Sequence, residues 1–279
     1  AARARLGSGG RSGGRAGRRP ARAVVAAGPD RGGPEGFLSR GSPPEVPRTL
    51  PAPVRGFVGR AAELARLARL LARRGRAPGS GTAVVTGMGG VGKTTLVTHW
   101  AHRATPAFRH GQLYVDLYGY SACPPRTPAD ALKVLLTALG VADADLPDSV
   151  GERIEMYQGL LRGRSVLVLL DNAVSADQVR PLLPPPSCVV VVTGRHRRLT
   201  VDLDAAVRVA LDPLPESDSV ALLHLLIGKR ASQEPEAARA LARRCGHLPL
   251  ALRVLAEQAV RREQISLAEL VAELGDGRA

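Results

Sequence analysis

The sequence predicts an α/β fold in which helices cover both faces of a parallel β-sheet, followed by a small all-helical subdomain. Five short segments are predicted as strands, and those at 166–170 and 189–193 are apolar along almost their whole length, which is typical of strands buried on both faces. Helical patterns separate the strands, which favours parallel pairing. The alternation stops near Pro213. The strands are expected at Thr82–Thr86, Gln112–Asp116, Val166–Leu170, Val189–Thr193 and Val207–Leu211.

A helix is predicted ahead of the sheet, in the segment AAELARLARLLARR that follows Arg60. Its leucines recur at helical spacing on one face, and most of its arginines lie off that face. This arrangement favours a solvated surface over a nucleic-acid-binding helix. The leucines are Leu64, Leu67, Leu70 and Leu71, and further helices are expected at 93–103, 128–139, 150–161, 220–227, 235–245, 249–260 and 267–274.

The formal net charge is +14, and all but three of the 39 basic residues are arginines. Codon usage explains such a bias as well as a polyanionic partner does, so the charge alone identifies no partner. Residues 1–53 are rich in Arg, Gly and Pro and lack hydrophobic periodicity. Because they bury too little apolar surface to offset the entropy of ordering, we expect residues 1–53 to form a disordered tail.

Several classes of protein are excluded by what the sequence lacks. No run approaches 18 apolar residues, and the apolar patch at 23–27 is too short for the core of a secretion signal. Cys123, Cys188 and Cys245 are odd in number and far apart, which predicts neither a disulfide framework nor a zinc site. Cys245 and His247 are interpreted as a buried thiol and a helix-end imidazole. We expect a cytoplasmic protein with no membrane partner.

The segment GMGGVGKT at residues 87–94 matches the phosphate-binding pattern GxxxxGK[ST] at every fixed position, between a predicted strand and a predicted helix. The glycines allow successive N–H groups to turn toward a phosphate, and the helix adds the positive end of its dipole. Lys93 is expected to reach the β- and γ-phosphates, and the Thr94 hydroxyl to coordinate Mg²⁺. The fold class is therefore that of a P-loop NTPase. The expected nucleotide-binding residues of this loop are Gly87, Gly89, Gly90, Val91, Gly92, Lys93, Thr94 and Thr95.

An acidic partner for the metal ion is expected at Asp171, which directly follows the strand Val166–Leu170. A carboxylate at the C-terminal end of a parallel strand faces the crevice where ligands bind, so Asp171 is expected to help hold Mg²⁺. Asn172 follows. An amide can orient a water molecule but cannot accept its proton, so turnover is expected to be slow. A simple role for Asn172 as a strand-end turn residue is an equal alternative.

A basic residue for the γ-phosphate is expected at Arg195, just beyond the strand Val189–Thr193, although three further basic residues follow it and spacing does not select among them. Asp116 and Gly119 match the DxxG pattern of GTPases, but they follow the wrong strand. The sequence contains no NKxD segment for reading guanine. Adenine is therefore the favoured base, and ATP or ADP the expected nucleotide.

Together these segments resemble the NB-ARC class of STAND-type signalling P-loop ATPases, which includes plant resistance proteins, apoptotic protease activators and large bacterial transcriptional regulators. The resemblance covers about residues 54–275 and is strongest to the bacterial regulators, in which GKTTLVTHWAHR is followed by GQLYVDLYGY. The segments that carry it are FVGR at 57–60, GMGGVGKTTL at 87–96, GQLYVDLYGYS at 111–121, LVLLDNA at 167–173, VVVTGR at 190–195 and CGHLPLAL at 245–252.

The resemblance implies roles that spacing alone does not show. It implies that the backbone of Val58, Gly59 and Arg60 packs on the adenine, and that Pro249 closes over the base or sugar. The resemblance also assigns the γ-phosphate contact to Arg195. It places the strand that precedes Arg195 between the P-loop strand and the strand that precedes Asp171. It divides the chain into a nucleotide-binding domain at 54–212 and a helical subdomain at 213–279.

Two features depart from that class. His247 stands where many relatives have Gly in a GLPL segment, so the local turn is expected to differ. The sequence also ends before the winged-helix subdomain and the sensor repeats of the class. We therefore expect a truncated helical subdomain, and DNA contacts only through domains absent from this chain.

The function expected from these features is an ATP/ADP-dependent regulatory switch with slow Mg²⁺-dependent hydrolysis. Lys93, Asp171, Asn172 and Arg195 are its expected catalytic residues, and its partners are an adenine nucleotide and, in the ATP state, other proteins or further copies of itself. Two alternatives stay open: an oligomeric ATPase that turns over continuously, and a nucleic-acid-binding protein that acts through the basic tail.

Overall fold

The computed structural model describes residues 46–73 and 81–275, all of which fall within one compact unit of the chain. Its strands are β1 (Thr82–Gly87), β2 (Gln112–Asp116), β3 (Leu167–Ala173), β4 (Val189–Gly194) and β5 (Val207–Leu211). Among the described residues they form one parallel sheet in the order β2-β3-β4-β1-β5. β4 therefore lies between the P-loop strand and the strand that carries Asp171, which confirms the strand order implied by the resemblance.

The helices agree with the predicted segments. Within the described residues none of them is long and apolar enough to cross a membrane. Three short helices, of four or five residues each, are not predicted from the sequence, because so few residues show no helical period. The helices are α1 (Ala61–Arg73), α2 (Lys93–Ala104), α3 (Pro128–Ala138), α4 (Val150–Leu161), α5 (Ala176–Val179), α6 (Leu199–Asp202), α7 (Glu216–Ile227), α8 (Lys229–Gln233), α9 (Pro235–Arg244), α10 (Pro249–Arg261) and α11 (Leu267–Gly275).

The helices α3 and α4 begin at capping side chains. The Thr127 hydroxyl accepts a hydrogen bond from the Asp130 N–H, and the Ser149 hydroxyl accepts one from the Glu152 N–H, each at 3.2 Å. Each hydroxyl thus accepts from an N–H of the first turn that has no partner within the helix. In both helices the residue that carries this N–H is acidic and lies three residues after the cap.

Hydrophobic cores cover both faces of the sheet, as predicted. Val84, Val168 and Val192 point to the face covered by α3 and α4. Their neighbours Val85 and Leu169 point to the opposite face, which is covered by α1 and α2. Successive side chains of a strand thus point to opposite faces of the sheet. Because helices cover both faces, every position of these strands is buried, which explains why they are apolar at consecutive positions. In α1, Leu67 and Leu70 are fully buried while Arg66 and Arg69 are exposed, which confirms its predicted apolar face.

After β5 the chain is helical only, as predicted. The helices α7–α11, termed the helical region (residues 216–275), pack around their own core. Small and aliphatic side chains build the centre of this core, in keeping with a sequence that is only 3% aromatic. They include Leu222, Leu223, Ala238, Leu241, Leu252, Ala256 and Leu267.

The predicted tail extends too far along the chain. Its residues 1–45 lie outside the described residues, but residues 46–53 do not, and Pro47, Arg48 and Thr49 pair with the free edge of β2. The Gln112 N–H donates to the Pro47 carbonyl oxygen (2.8 Å), and the Thr49 N–H donates to the Gln112 carbonyl oxygen (3.1 Å). This pairing joins residues more than 60 positions apart, so no local property of the segment reveals it.

Candidate functional site

The phosphate-binding loop connects β1 to α2 as predicted. Gly90 and Gly92 have φ values of +75° and +96°, in the left-handed region that glycine adopts without strain. Gly92 directly precedes the first residue of α2, so the N-terminus of this helix points into the loop. The Lys93 ammonium donates hydrogen bonds to the carbonyl oxygens of Gly87 and Met88, both at 2.9 Å. The loop thus combines a helix N-terminus with a primary amine, which suits a phosphate chain.

Asp171 is the centre of a cluster of hydroxyl groups at the C-terminal edge of the sheet. Its carboxylate accepts hydrogen bonds from the hydroxyls of Thr94 (2.9 Å to Oδ2), Tyr114 (3.2 Å to Oδ2) and Thr193 (to Oδ1). The residue is only 4% exposed. Burial raises the pKa of the Asp171 carboxyl, and the hydrogen bonds from Thr193, Thr94 and Tyr114 oppose that increase.

The same residues fit a magnesium ion. Mg²⁺ prefers oxygen ligands and is usually bound by one or two protein groups together with phosphates and waters. The Thr94 hydroxyl and the Asp171 carboxylate supply two such oxygens, which lie within 3.0 Å of each other. No cluster of three or more His, Cys, Asp or Glu side chains suited to a metal ion occurs among the described residues. Phosphate oxygens and waters would supply the remaining ligands of a metal ion at this site.

Sequence reasoning misses Tyr114 and Thr193, the other two hydroxyls around Asp171. Thr193 carries a recognisable signal, because it is the single polar residue among the apolar ones of β4. Tyr114 carries none: it lies opposite Leu169 on β3, two residues before Asp171, and reaches the carboxylate along the sheet surface. Only the β2–β3 pairing brings it to the site.

Asn172 occupies an irregularity in β3. Its φ is +63°, and the pairing of β3 with β4 shifts between Leu170 and Ala173. The Asn172 N–H donates to the Thr193 hydroxyl (2.9 Å), and its side-chain amide donates to the Ser121 hydroxyl (3.4 Å). Asparagine tolerates this left-handed conformation better than most residues do. The geometry therefore places Asn172 at a bulge near the end of β3, with its side-chain amide in contact with the loop after β2.

Arg195 lies over the phosphate-binding loop. A Cβ atom placed on Gly89 would lie 3.6 Å from the guanidinium carbon of Arg195, which is also 4.2 Å from the centroid of the Tyr120 ring. Burial, and then the nearby charge of Arg195, lower the pKa of the Lys93 ammonium, while Asp171 opposes this. Arg195 and Lys93 thus concentrate positive charge at one end of the loop.

The DxxG segment that resembles a GTPase motif has a structural role. The Asp116 carboxylate accepts a hydrogen bond from the Tyr118 N–H (2.8 Å), and Tyr118 has a φ of +55°. Asp116 therefore stabilises a tight turn after the edge strand β2.

The upstream segment FVGR packs beside the loop. The Arg60 guanidinium donates to the carbonyl oxygens of Asp212 (2.7 Å) and Val91 (3.4 Å), and it pairs with Glu63 (3.1 Å). Its side chain thus links the start of α1, the phosphate-binding loop and the end of β5. The Phe57 ring stacks on His99 of α2 with ring centroids 4.0 Å apart.

A small cavity lies between this segment, the loop and the helical region. Two of the three upstream residues expected at the adenine, Val58 and Arg60, line it, whereas Gly59 does not. Gly59 packs against Asp218 of α7 instead. The other lining residues include Val91, Gly92, Thr95, Leu214, Pro249 and Arg253.

The helical region contacts the loop directly through the first turn of α10. The Leu250 N–H donates to the Gly90 carbonyl oxygen (3.2 Å), and Pro249 lies 3.7 Å from a Cβ placed on Gly92. Arg253, one turn later, donates to the carbonyl oxygen of Gly56 (2.7 Å). Pro249 therefore lies at the loop, beside a cleft that Lys93, Thr94 and Thr95 also line.

The turn before α10 explains how His247 replaces a glycine. Its φ is +56°, the conformation that glycine would adopt without strain. Its ring nitrogen Nδ1 lies 3.0 Å from the Ser219 hydroxyl, whose own proton goes to the Pro215 carbonyl oxygen (3.0 Å). The imidazole therefore donates to Ser219. The turn thus holds His247 in the left-handed conformation that favours glycine. Nearby Cys245 is buried, and burial raises the pKa of its thiol to about 11.

Comparison with known proteins finds two relatives by sequence and one solved structure of the same fold. The regulatory protein AfsR of Streptomyces coelicolor is 44% identical over 238 residues, which cover 83% of this chain and 24% of that protein. A probable disease resistance protein of Arabidopsis thaliana is 26% identical over 247 residues, which cover 83% of this chain and 28% of that protein. The crystal structure of Cdc6p from Pyrobaculum aerophilum has the same fold, with a TM-score of 0.56 at 16% identity over 76% of this chain and 65% of that one.

The chain thus spans about a quarter of the length of the two relatives found by sequence. Its fold and its phosphate-binding loop are those of P-loop ATPases, which bind nucleotides. The sequence profile of the AAA ATPase domain matches residues 56–268, which is most of the chain. The chain belongs to the AAA ATPase domain family.

Proposed function

We propose that this chain is an ATP/ADP-dependent regulatory switch of the NB-ARC type, in which slow Mg²⁺-dependent hydrolysis couples the nucleotide to the arrangement of two parts. The parts are the nucleotide-binding domain at 54–212 and the helical subdomain at 213–279. The names of the relatives support a regulatory role, since one is a regulatory protein and the other a probable disease resistance protein. A cytoplasmic location is part of the proposal and rests on the odd number and wide spacing of the cysteines.

The observation that carries the proposal is the bond between the helical region and the phosphate-binding loop. The carbonyl of Gly90 accepts from Leu250, and Arg253 donates to the Gly56 carbonyl oxygen. A ligand that moves the loop or the upstream segment therefore changes the contacts of α10. A ligand can shift an equilibrium between two arrangements only through a difference in its contacts with each of them. In this chain the loop is where such a difference would arise.

The residues of the site have distinct proposed tasks. Lys93 and Arg195 bind phosphate oxygens, Thr94 and Asp171 hold Mg²⁺, and Asn172 orients the attacking water. Bound Mg²⁺ would neutralise charge that develops on the phosphates. Val58, Gly59, Arg60 and Pro249 are proposed to surround the adenine, as the resemblance implies. Because Asn172 cannot accept a proton, we expect a turnover number below about 1 s⁻¹.

Hydrogen exchange tests the proposal. Peptides that cover α10 are expected to exchange at different rates when the protein is saturated with a non-hydrolysable ATP analogue or with ADP, both with Mg²⁺. Peptides from α3 and α4, on the far side of the sheet, serve as the internal reference. The Lys93→Ala variant is expected to lose the difference. Equal exchange of α10 in the two complexes would refute the switch.

A continuously working ATPase is the second candidate, and the match to the AAA ATPase domain family favours it. The two differ in their kinetics. Steady turnover well above about 1 s⁻¹, rising with protein concentration as copies assemble, would favour that alternative. A rate limited by exchange of ADP for ATP would favour the switch.

A further inference from the structure

The loop after β2 brings an aromatic ring to the basic end of the nucleotide site. Tyr120 belongs to the segment between β2 and α3, and none of the sequence patterns for phosphate, metal or base includes it. Its ring centroid lies 4.2 Å from the guanidinium carbon of Arg195, within the range of a cation–π contact. On its other side the same guanidinium approaches Gly89 of the phosphate-binding loop. Arg195 is thus placed between the loop and the ring.

The position of the ring is fixed by main-chain contacts. The Gly119 N–H donates to the Asn172 carbonyl oxygen at 2.8 Å, and the Leu117 N–H donates to the Asp171 carbonyl oxygen at 2.9 Å. A Cβ atom on Gly119 would lie only 2.4 Å from the Asn172 carbonyl oxygen, so only glycine permits this approach. The chain carrying Tyr120 is therefore held against the end of β3.

The Tyr120 hydroxyl contributes little to this arrangement. Its oxygen is buried and has no hydrogen-bond partner among the described residues. The contact with Arg195 uses the face of the ring, which phenylalanine also offers. Replacing Tyr120 by Phe therefore removes no hydrogen bond and keeps the ring, which separates the role of the ring from that of the hydroxyl.

Arg195 needs such support, because it is exposed to solvent. A long, exposed side chain samples many rotamers. Binding a phosphate fixes one of them, and the bonds to the phosphate must offset the conformational entropy that is lost. A ring stacked on the guanidinium reduces the number of rotamers before the nucleotide arrives. Pre-organisation of this kind increases affinity without adding a contact to the ligand.

We infer that Tyr120 is a positioning residue that holds Arg195 over the phosphate-binding loop and so allows the site to distinguish a nucleoside triphosphate from a diphosphate. The inference rests on the proposed function, since it assigns the γ-phosphate to Arg195. It predicts an effect on ATP and not on ADP, because the diphosphate lacks the group that Arg195 would contact. A merely structural role for Tyr120 would weaken the binding of both nucleotides.

Titration calorimetry with a non-hydrolysable ATP analogue and with ADP, each with Mg²⁺, tests the inference. Tyr120→Leu is expected to weaken binding of the ATP analogue about two- to fivefold, the size of an exposed cation–π contact, and to leave ADP binding unchanged. Tyr120→Phe is expected to bind both nucleotides as the unmodified chain does. Tyr118→Leu is the matched control, because the Tyr118 ring in the same loop pairs with Arg126 (4.7 Å), whereas the Tyr120 ring pairs with Arg195.

A double-variant cycle isolates the path through Arg195. Arg195→Gln is expected to weaken binding of the ATP analogue by about tenfold or more, and adding Tyr120→Leu to it is expected to change nothing further. Arg195→Lys, which keeps the charge but not the planar group, provides a second test if Tyr120→Leu does not fold, and is expected to lose affinity for the ATP analogue alone. Undiminished binding of the analogue by Arg195→Lys would count against the inference.

Unchanged binding of the ATP analogue by Tyr120→Leu overturns the inference, as does undiminished binding by Arg195→Lys. Two further outcomes overturn it while leaving the proposed function intact. One is an equal loss of affinity for both nucleotides in Tyr120→Leu. The other is a further loss when Tyr120→Leu is added to Arg195→Gln. Failure of the unmodified chain to bind either nucleotide is a different result, because it contradicts the proposed function itself and removes the basis of the inference with it.

Discussion

The N–H of Leu250 donates to the carbonyl oxygen of Gly90 at 3.2 Å, so a helix from the C-terminal part of the chain is bonded directly to the phosphate-binding loop. The two residues are 160 positions apart. The bond places α10 where a movement of the loop must either break it or carry the helix along. Variants at Arg253, Lys93, Asp171 and His247 test the loop and the parts of the chain around it.

Arg253→Ala is expected to loosen α10 from the upstream segment. The guanidinium donates to the carbonyl oxygens of Gly56 (2.7 Å) and Arg55 (3.1 Å), and the variant leaves both without this partner. We expect the free energy of unfolding to fall by about 1–2 kcal/mol, measured by urea denaturation. Arg261→Ala on the same helix is the control, since its ion pair with Glu257 is exposed and is worth well under about 1 kcal/mol. Equal effects of the two variants would contradict this prediction.

Lys93→Ala is expected to abolish nucleotide binding. The ammonium is the primary amine at the phosphate-binding loop, within 2.9 Å of two of its carbonyl oxygens, and its loss removes charge-assisted hydrogen bonds to phosphate. Binding of a fluorescent ATP analogue would measure a loss of about tenfold at least. Lys133→Ala is the matched control, because Lys133 is exposed and pairs with Asp143, away from the loop. Retained affinity in Lys93→Ala would refute the assignment of the site.

The sequence predicts the sheet, the loop and the strand that carries Asp171, because each rests on local periodicity or on a contiguous motif. The contact of Tyr114 with Asp171 on β3, and the pairing of Pro47 with Gln112 on the other edge of β2, are not predictable in this way. Both depend on which strand forms the edge of the sheet, and strand order is a property of the whole chain. His247 shows the same limit on a smaller scale. The sequence shows that His247 stands where many relatives have glycine, but it does not show that the ring bonds to Ser219, 28 residues earlier.

Asp171→Asn is expected to stabilise the nucleotide-free protein at neutral pH and to impair Mg²⁺-dependent hydrolysis more than nucleotide binding. Burial raises the pKa of the carboxyl in the folded state above its value of 3.8 in the unfolded chain. The folded state then binds more protons between these two pKa values, so stability falls as the pH rises through that interval. Asparagine carries no charge and removes this cost.

Urea denaturation at several pH values, without nucleotide, measures the difference between Asp171→Asn and the unmodified chain. We expect the advantage of the variant to shrink as the pH falls through this interval and to level off below the unfolded pKa, where the carboxyl is protonated in both states. Hydrolysis assays with and without Mg²⁺ give the functional half of the prediction. An advantage that does not depend on pH would show that burial of the charge is not its cause.

His247→Gly and His247→Ala are expected to differ in stability although both remove the imidazole. Both lose the hydrogen bond to Ser219, which costs about 1 kcal/mol. Glycine also relieves the strain of a φ of +56°, whereas alanine retains it. The strain that glycine relieves in the folded state is larger than the free-energy cost of the extra conformational entropy that glycine gives the unfolded chain. We therefore expect His247→Gly to be more stable than His247→Ala by about 1 kcal/mol. Thermal and urea denaturation would measure it. Equal stabilities of His247→Ala and His247→Gly would show that the turn does not need a left-handed residue at position 247.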